Sequence, residues 1–96
     1  MSNQPELSFI VPFEHPSLPG HFPGRPVVPG VVLLDAVFER IGRVAQLASV
    51  RFTGPVLPGQ RVELGFKAAG GQVDFRGHVE GRLVFRGRAR LAAGQP

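Results

Sequence analysis

Leu7, Phe9, Val11 and Phe13 alternate with Ser8, Ile10 and Pro12, a period of two that predicts a strand with one strongly apolar face. Pro12 places the second half of that strand at a sheet edge or a strand end, because proline cannot donate to a ladder. Prolines then recur at 12, 16, 19, 23, 26 and 29, with Gly20 and Gly24 between them, which excludes helix or a central strand and predicts an ordered loop. Pro29 and Gly30 open the run Val31 to Ile41, and Gly42 offers a stop, so a helix is expected over 30–41. Its only polar residues are Asp35, Glu39 and Arg40, a pattern that places the helix inside the protein. From Val50 and Phe52 onward the period returns to two. Val62 to Ala68, Val73 to Val79 and Leu83 to Leu91 each alternate apolar or small residues with polar ones, and Gly70-Gly71 marks a hairpin. These segments predict half-buried antiparallel strands, with Arg82, Val84, Arg86, Arg88 and Arg90 on a solvated face. The sheet needs an apolar cover, and the helix is the one segment long enough to supply it. The expected class is therefore α+β.

Composition narrows the function classes. Ninety-six residues fit a single domain spanning 1–96 with a thin core, for which self-association is expected. Cysteine is absent, which removes disulfides, thiolate metal sites and thiol nucleophiles. The three histidines, His15, His21 and His78, have no metal-ligand spacing. The first residues lack a basic stretch followed by an apolar one, and no apolar run could span a bilayer, so a cytoplasmic protein without a membrane partner is expected. A formal charge of +4 favours an acidic partner. Nucleic acid is not the expected one, since Tyr and Trp are missing and the Phe residues fall at core-like positions.

Candidate chemistry concentrates in the loop and the helix. The stretch Gly20-His21-Phe22-Pro23-Gly24, followed by Pro26, Pro29-Gly30-Val31 and Leu34-Asp35-Ala36, closely resembles the signature of the β-hydroxyacyl-acyl-carrier-protein dehydratases. His21 and Asp35 stand fourteen positions apart, the spacing of that family's catalytic pair. Val50-Arg51-Phe52 with Pro55-Val56-Leu57-Pro58-Gly59 is similar to the family's strand and turn after the helix. The resemblance covers roughly Leu7 to Leu91 and implies the hot-dog fold, a curved antiparallel sheet wrapped around one central helix. It also implies dehydration of a (3R)-hydroxyacyl thioester carried on acyl carrier protein, with no cofactor. The family's dimer brings the histidine of one subunit to the carboxylate of the other. Asp35 departs from the glutamate of the plain dehydratase branch and is similar to the branch that also isomerises the double bond, and to pigment-pathway relatives. The chain is shorter than typical members, and Phe38-Glu39 replaces residues that are commonly small or amide-bearing.

Dehydration removes a weakly acidic proton from carbon 2 and supplies one to the hydroxyl leaving carbon 3. Histidine titrates nearest neutrality among the side chains, which makes His21 the expected base. Asp35, flanked by Leu34, Ala36 and Val37, is expected to be desolvated, a setting that favours a protonated carboxyl able to serve the departing hydroxyl directly or through water. Gly30 stands where backbone N–H groups are unpaired and the helix dipole is positive, suited to the charge that grows on the thioester oxygen. Phe22, Val28, Leu33 and Val37 are the expected walls of the substrate pocket.

Two other classes share these features: a hot-dog acyl thioesterase, which would release free thiol, and a non-catalytic acyl-carrier-binding or assembly module. The arginines on the last strand read either as a solvated face or as a dock for an acidic carrier, aided by Arg25, Arg40 or Arg43.

Overall fold

In a computed structural model the described residues are 7–12 and 27–92. They form strand β1 (Leu7–Ile10), helix α1 (Gly30–Ile41) and strands β2 (Val44–Phe52), β3 (Arg61–Ala69), β4 (Gln72–Val79) and β5 (Arg82–Leu91). All neighbouring strands pair antiparallel in one five-stranded sheet of order β1-β3-β4-β5-β2. β1 stops before Pro12 and lies at the sheet edge, as a proline there requires. Phe13, with which the alternation continues, lies outside the described residues. With α1 against one face of the sheet, this is the α+β hot-dog architecture.

The helix begins and ends where its sequence signals stand. Pro29 is the N-cap at φ −62° and ψ 149°, and its carbonyl accepts the N–H groups of Val32 at 3.0 Å and Leu33 at 3.2 Å. Gly42 closes the helix at φ 74°, a conformation that favours glycine, and donates its N–H to the Phe38 carbonyl at 2.8 Å. Burial departs from expectation. Val32, Leu33 and Val37 are buried against the sheet, whereas Val31, Asp35, Glu39 and Arg40 are exposed. A single protomer covers one side of α1 and leaves the stripe Val31, Asp35 and Glu39, spaced four residues apart, open. Arg40 at the last turn stacks over the Phe9 ring at 5.1 Å and so fastens the helix to β1.

The inner sheet face is closed by an exchange of large and absent side chains. Phe75 of β4 stands opposite Gly87 of β5, and Gly77 of β4 opposite Phe85 of β5. Each ring lies over the glycine across from it: a Cβ on Gly77 would collide with the Phe85 ring, and one on Gly87 would come 2.6 Å from the Ser49 carbonyl oxygen and against the Phe75 ring. The rings continue as a chain of edge and tilted contacts, Phe38 to Phe75 at 6.2 Å, Phe75 to Phe85 at 6.2 Å and Phe85 to Phe52 at 6.3 Å.

Two findings correct the alternation. β2 begins at Val44, well before Val50, and its pairing with β5 shifts register between Val44 and Gln46 and again between Leu47 and Ser49. Each shift inserts one extra residue, so the half-buried positions Val44, Leu47 and Val50 fall three apart. Val84, in phase with the arginines, is fully buried instead of solvated. It is the extra residue of a register shift between β4 and β5, where Gly77 pairs with Phe85 but His78 with Leu83, and its carbonyl accepts the N–H groups of Thr53 at 2.9 Å and Gly54 at 3.4 Å.

Candidate functional site

The start of α1 is held by three segments. Val28 donates its N–H to the Val56 carbonyl at 2.8 Å, which ties the approach to the helix onto the turn after β2. That turn is tied in its turn to β5 by Thr53, whose hydroxyl donates to the Leu83 carbonyl at 2.8 Å, and to the end of β1 by a Gly59 N–H to Val11 carbonyl bond of 2.8 Å. Buried Val56 and Pro58 fill the space beneath.

Gly30 is thereby fixed against Phe52. A Cβ at Gly30 would sit 2.8 Å from Cζ and 3.0 Å from Cε2 of the Phe52 ring, so only glycine fits without displacing that ring. Phe52 is the last residue of β2, and the sequence offers no sign that its side chain reaches the start of the helix. Alternation placed it on the inner face, but the pairing of a strand end with a helix start is a tertiary fact. The first N–H groups of α1 have no partner within the helix, and they lie at its positive end.

Of the expected site residues, His21 and Phe22 lie outside the described residues. Gly30 is the first residue of the helix, as expected. Asp35 follows it by five residues, about 7.5 Å along the axis at 1.5 Å per residue. Its side chain is exposed in the single protomer, contrary to the expected desolvation, because the sheet covers the other side of α1. Val28, Leu33 and Val37 are buried in the main core. No three acidic or histidine side chains cluster as a metal site would require among the described residues. Likewise, no described helix is long and apolar enough to cross a membrane.

A second feature lies on the opposite face of the sheet. Ser49, Arg51, Lys67, Asp74, Arg76, Arg86 and Arg88 surround an open cleft of about 530 Å³. Arg88 donates from Nε to Asp74 Oδ1 at 2.7 Å, and the adjacent guanidinium holds the Asp74 carboxyl below its ordinary range.

Comparison with known proteins places the chain. The family model of the ApeI-like proteins, described as ApeI dehydratase, matches residues 1–88. A 3-hydroxyacyl-[acyl-carrier-protein] dehydratase FabZ of Proteus mirabilis is 32% identical over 84% of this chain and 60% of its own length. The FabZ of Thermus thermophilus is 37% identical over 74% of this chain and 64% of its own length. The chain thus spans about 60% of the length of these curated relatives. Among solved structures, the dehydratase heterocomplex ApeI:P from Xenorhabdus doucetiae superposes with a TM-score of 0.81 at 20% identity, over 94% of this chain and 88% of that one. An uncharacterised protein from Erwinia carotovora subsp. atroseptica gives a TM-score of 0.77 at 27% identity, over 93% and 82% of the two chains. With residues 1–88 of its 96 matched by the family model, this chain belongs to the ApeI-like dehydratase family.

Proposed function

We propose that the protein is a hydro-lyase that converts (3R)-hydroxyacyl thioesters, carried on acyl carrier protein, to trans-2-enoyl thioesters. The observation that carries the reading is the start of α1, where Gly30 is pressed against Phe52 and Asp35 follows on the same helix. The matched curated relatives are dehydratases by name. His21 removes the proton from carbon 2, and its electron pair moves toward the thioester oxygen. The Gly30 N–H, at the positive helix end, stabilises the charge that collects there. As that pair returns to form the double bond between carbons 2 and 3, the bond from carbon 3 to the hydroxyl breaks, Asp35 supplies the departing oxygen with a proton, and water leaves.

The open side of α1 supports a site completed by a second chain. Val31 is 66% exposed one turn before Asp35 on an otherwise apolar helix. Covering this stripe would take the Asp35 carboxyl out of bulk water, beside the apolar side chains that flank it. In this reading His21 comes from one protomer and Asp35 from its partner. The Xenorhabdus doucetiae structure is a dehydratase heterocomplex, so sedimentation of the purified chain alone tells a self-paired dimer from one that needs a second gene product.

His21→Ala and Asp35→Ala should each lower enoyl formation by about a hundredfold or more, the usual contribution of a general acid or base. Circular dichroism should be unchanged. Full turnover in either variant removes that residue from the mechanism, and release of free thiol without an enoyl product would assign a thioesterase instead.

A further inference from the structure

Registers across the sheet bring three arginines into one line on its outer face. Arg51 of β2 pairs directly with Arg86 of β5, and Arg86 with Arg76 of β4. All three are exposed, and among the described residues none has an ion-pair partner. Like charges directly opposite each other on neighbouring strands destabilise a sheet, so the fold gains nothing from this row. The next row differs: there Arg88 is neutralised by Asp74, which itself pairs with Lys67 across β3.

Resting on the proposed reaction, we infer that the row Arg51, Arg86 and Arg76 is the docking surface for an acidic helix of the acyl carrier protein. Neighbouring strands lie about 4.8 Å apart, so three adjacent strands set out positive charge over about 10 Å. Carboxylates at i, i+4 and i+8 on one helix face recur at about 6 Å, one turn apiece, and run alongside such a row with a charge for each arginine. The row ends at Arg51, the chain neighbour of Phe52, whose ring covers Gly30. A partner seated there holds its thioester arm beside the β2 edge, next to the start of α1. A second copy of this chain is excluded as the occupant, since two arginine rows would face each other. Nucleic acid fits poorly, because Phe52, Phe66, Phe75 and Phe85 belong to the inner face and leave the outer one without a surface for stacking bases.

The test compares the full chain with the triple variant Arg51→Ala, Arg76→Ala and Arg86→Ala. Substrates are a 3-hydroxyacyl group on acyl carrier protein and the same group on N-acetylcysteamine, which lacks the carrier. The variant should raise KM for the carrier-bound substrate about tenfold or more and leave kcat/KM for the small thioester within about twofold. The wild-type KM for the carrier should climb between about 50 and 300 mM salt, and the variant's should not. Binding of unacylated carrier, measured by calorimetry, should weaken by the same factor, and this arm decides the surface even if neither substrate turns over and the dehydratase reading fails. Unchanged carrier binding, equal losses on both substrates, or no carrier binding by the wild type overturns the inference. So does a single-stranded RNA oligonucleotide that binds through these arginines more tightly than the carrier does.

Discussion

The two faces of the same strands are built on opposite rules. On the inner face, Phe75 fills the space that Gly87 leaves and Phe85 the space that Gly77 leaves, so each position is decided by the residue across from it. On the outer face β4 and β5, with β2 beside them, set Arg76, Arg86 and Arg51 side by side, and each would be better tolerated if its neighbour were different. The inner face shows what holds the sheet. The outer face carries charge the sheet does not need, which is where a role outside folding is to be sought.

Substitutions should separate the faces sharply. Phe85→Ala removes a fully buried ring that touches both Phe75 and Phe52 and should cost about 3–5 kcal/mol in a denaturant titration. Gly77→Ala, which forces a methyl into that ring, should cost about 1–3 kcal/mol alone. The methyl should be far better tolerated in the Phe85→Ala background. Additive losses in that double-mutant cycle would show that ring and glycine are not coupled.

Gly30→Ala tests the border between the fold and the site. The Phe52 ring is 43% exposed and can swing aside, so the loss of stability should stay near 1 kcal/mol. Enoyl formation should fall by a larger factor, because the ring and the helix start move together. Equal, minor effects on both would detach Phe52 and Gly30 from the chemistry.

On the outer face, Arg86→Ala should leave stability within about 0.5 kcal/mol of wild type or raise it, since it relieves two like-charge pairings. A clear loss would mean that the arginine stem packs on the sheet. The smallest effect belongs to the exposed Asp74–Arg88 pair. The folded carboxyl titrates below its ordinary value because Arg88 bonds to it, so its stabilisation is present in full above the unfolded value and fades as pH falls through the folded one. Carboxyl chemical shifts followed through acid titration, with and without Arg88→Ala, check this. An Asp74 midpoint unmoved by the substitution would refute the cause.

Much of the fold was legible because local signals agreed with the tertiary outcome. Pro29 and Gly42 bound α1 in sequence and in space, and Gly70-Gly71 joins β3 to β4 with both residues at positive φ, 59° and 80°. The first half of β2 was hidden by its own irregularity: with half-buried Val44, Leu47 and Val50 three apart, no period of two exists to be read. Val84 reads as solvated for the same reason, since the bulge between Leu83 and Phe85 puts two buried residues in succession where strict alternation allows one. At the site, Gly30 and Asp35 could be named from their spacing. The exposure of Asp35 could not, because an apolar helix reads as buried whether its cover comes from its own sheet or from another chain. Phe52 escaped notice because its partner, Gly30, offers no side chain to pair with.

The crossed rings of β4 and β5 also determine how these strands find their alignment. A slip by two residues would set Phe75 against Phe85 and Gly77 against Leu83, so neither ring would lie over a glycine and the misaligned hairpin would pack poorly. The turn at Glu80-Gly81 is therefore spared the task of measuring the strands. Residues inserted there should lengthen the connection and leave every cross-strand partner in place, which makes this tip a natural point for attaching a tag or for opening the chain into a permuted one.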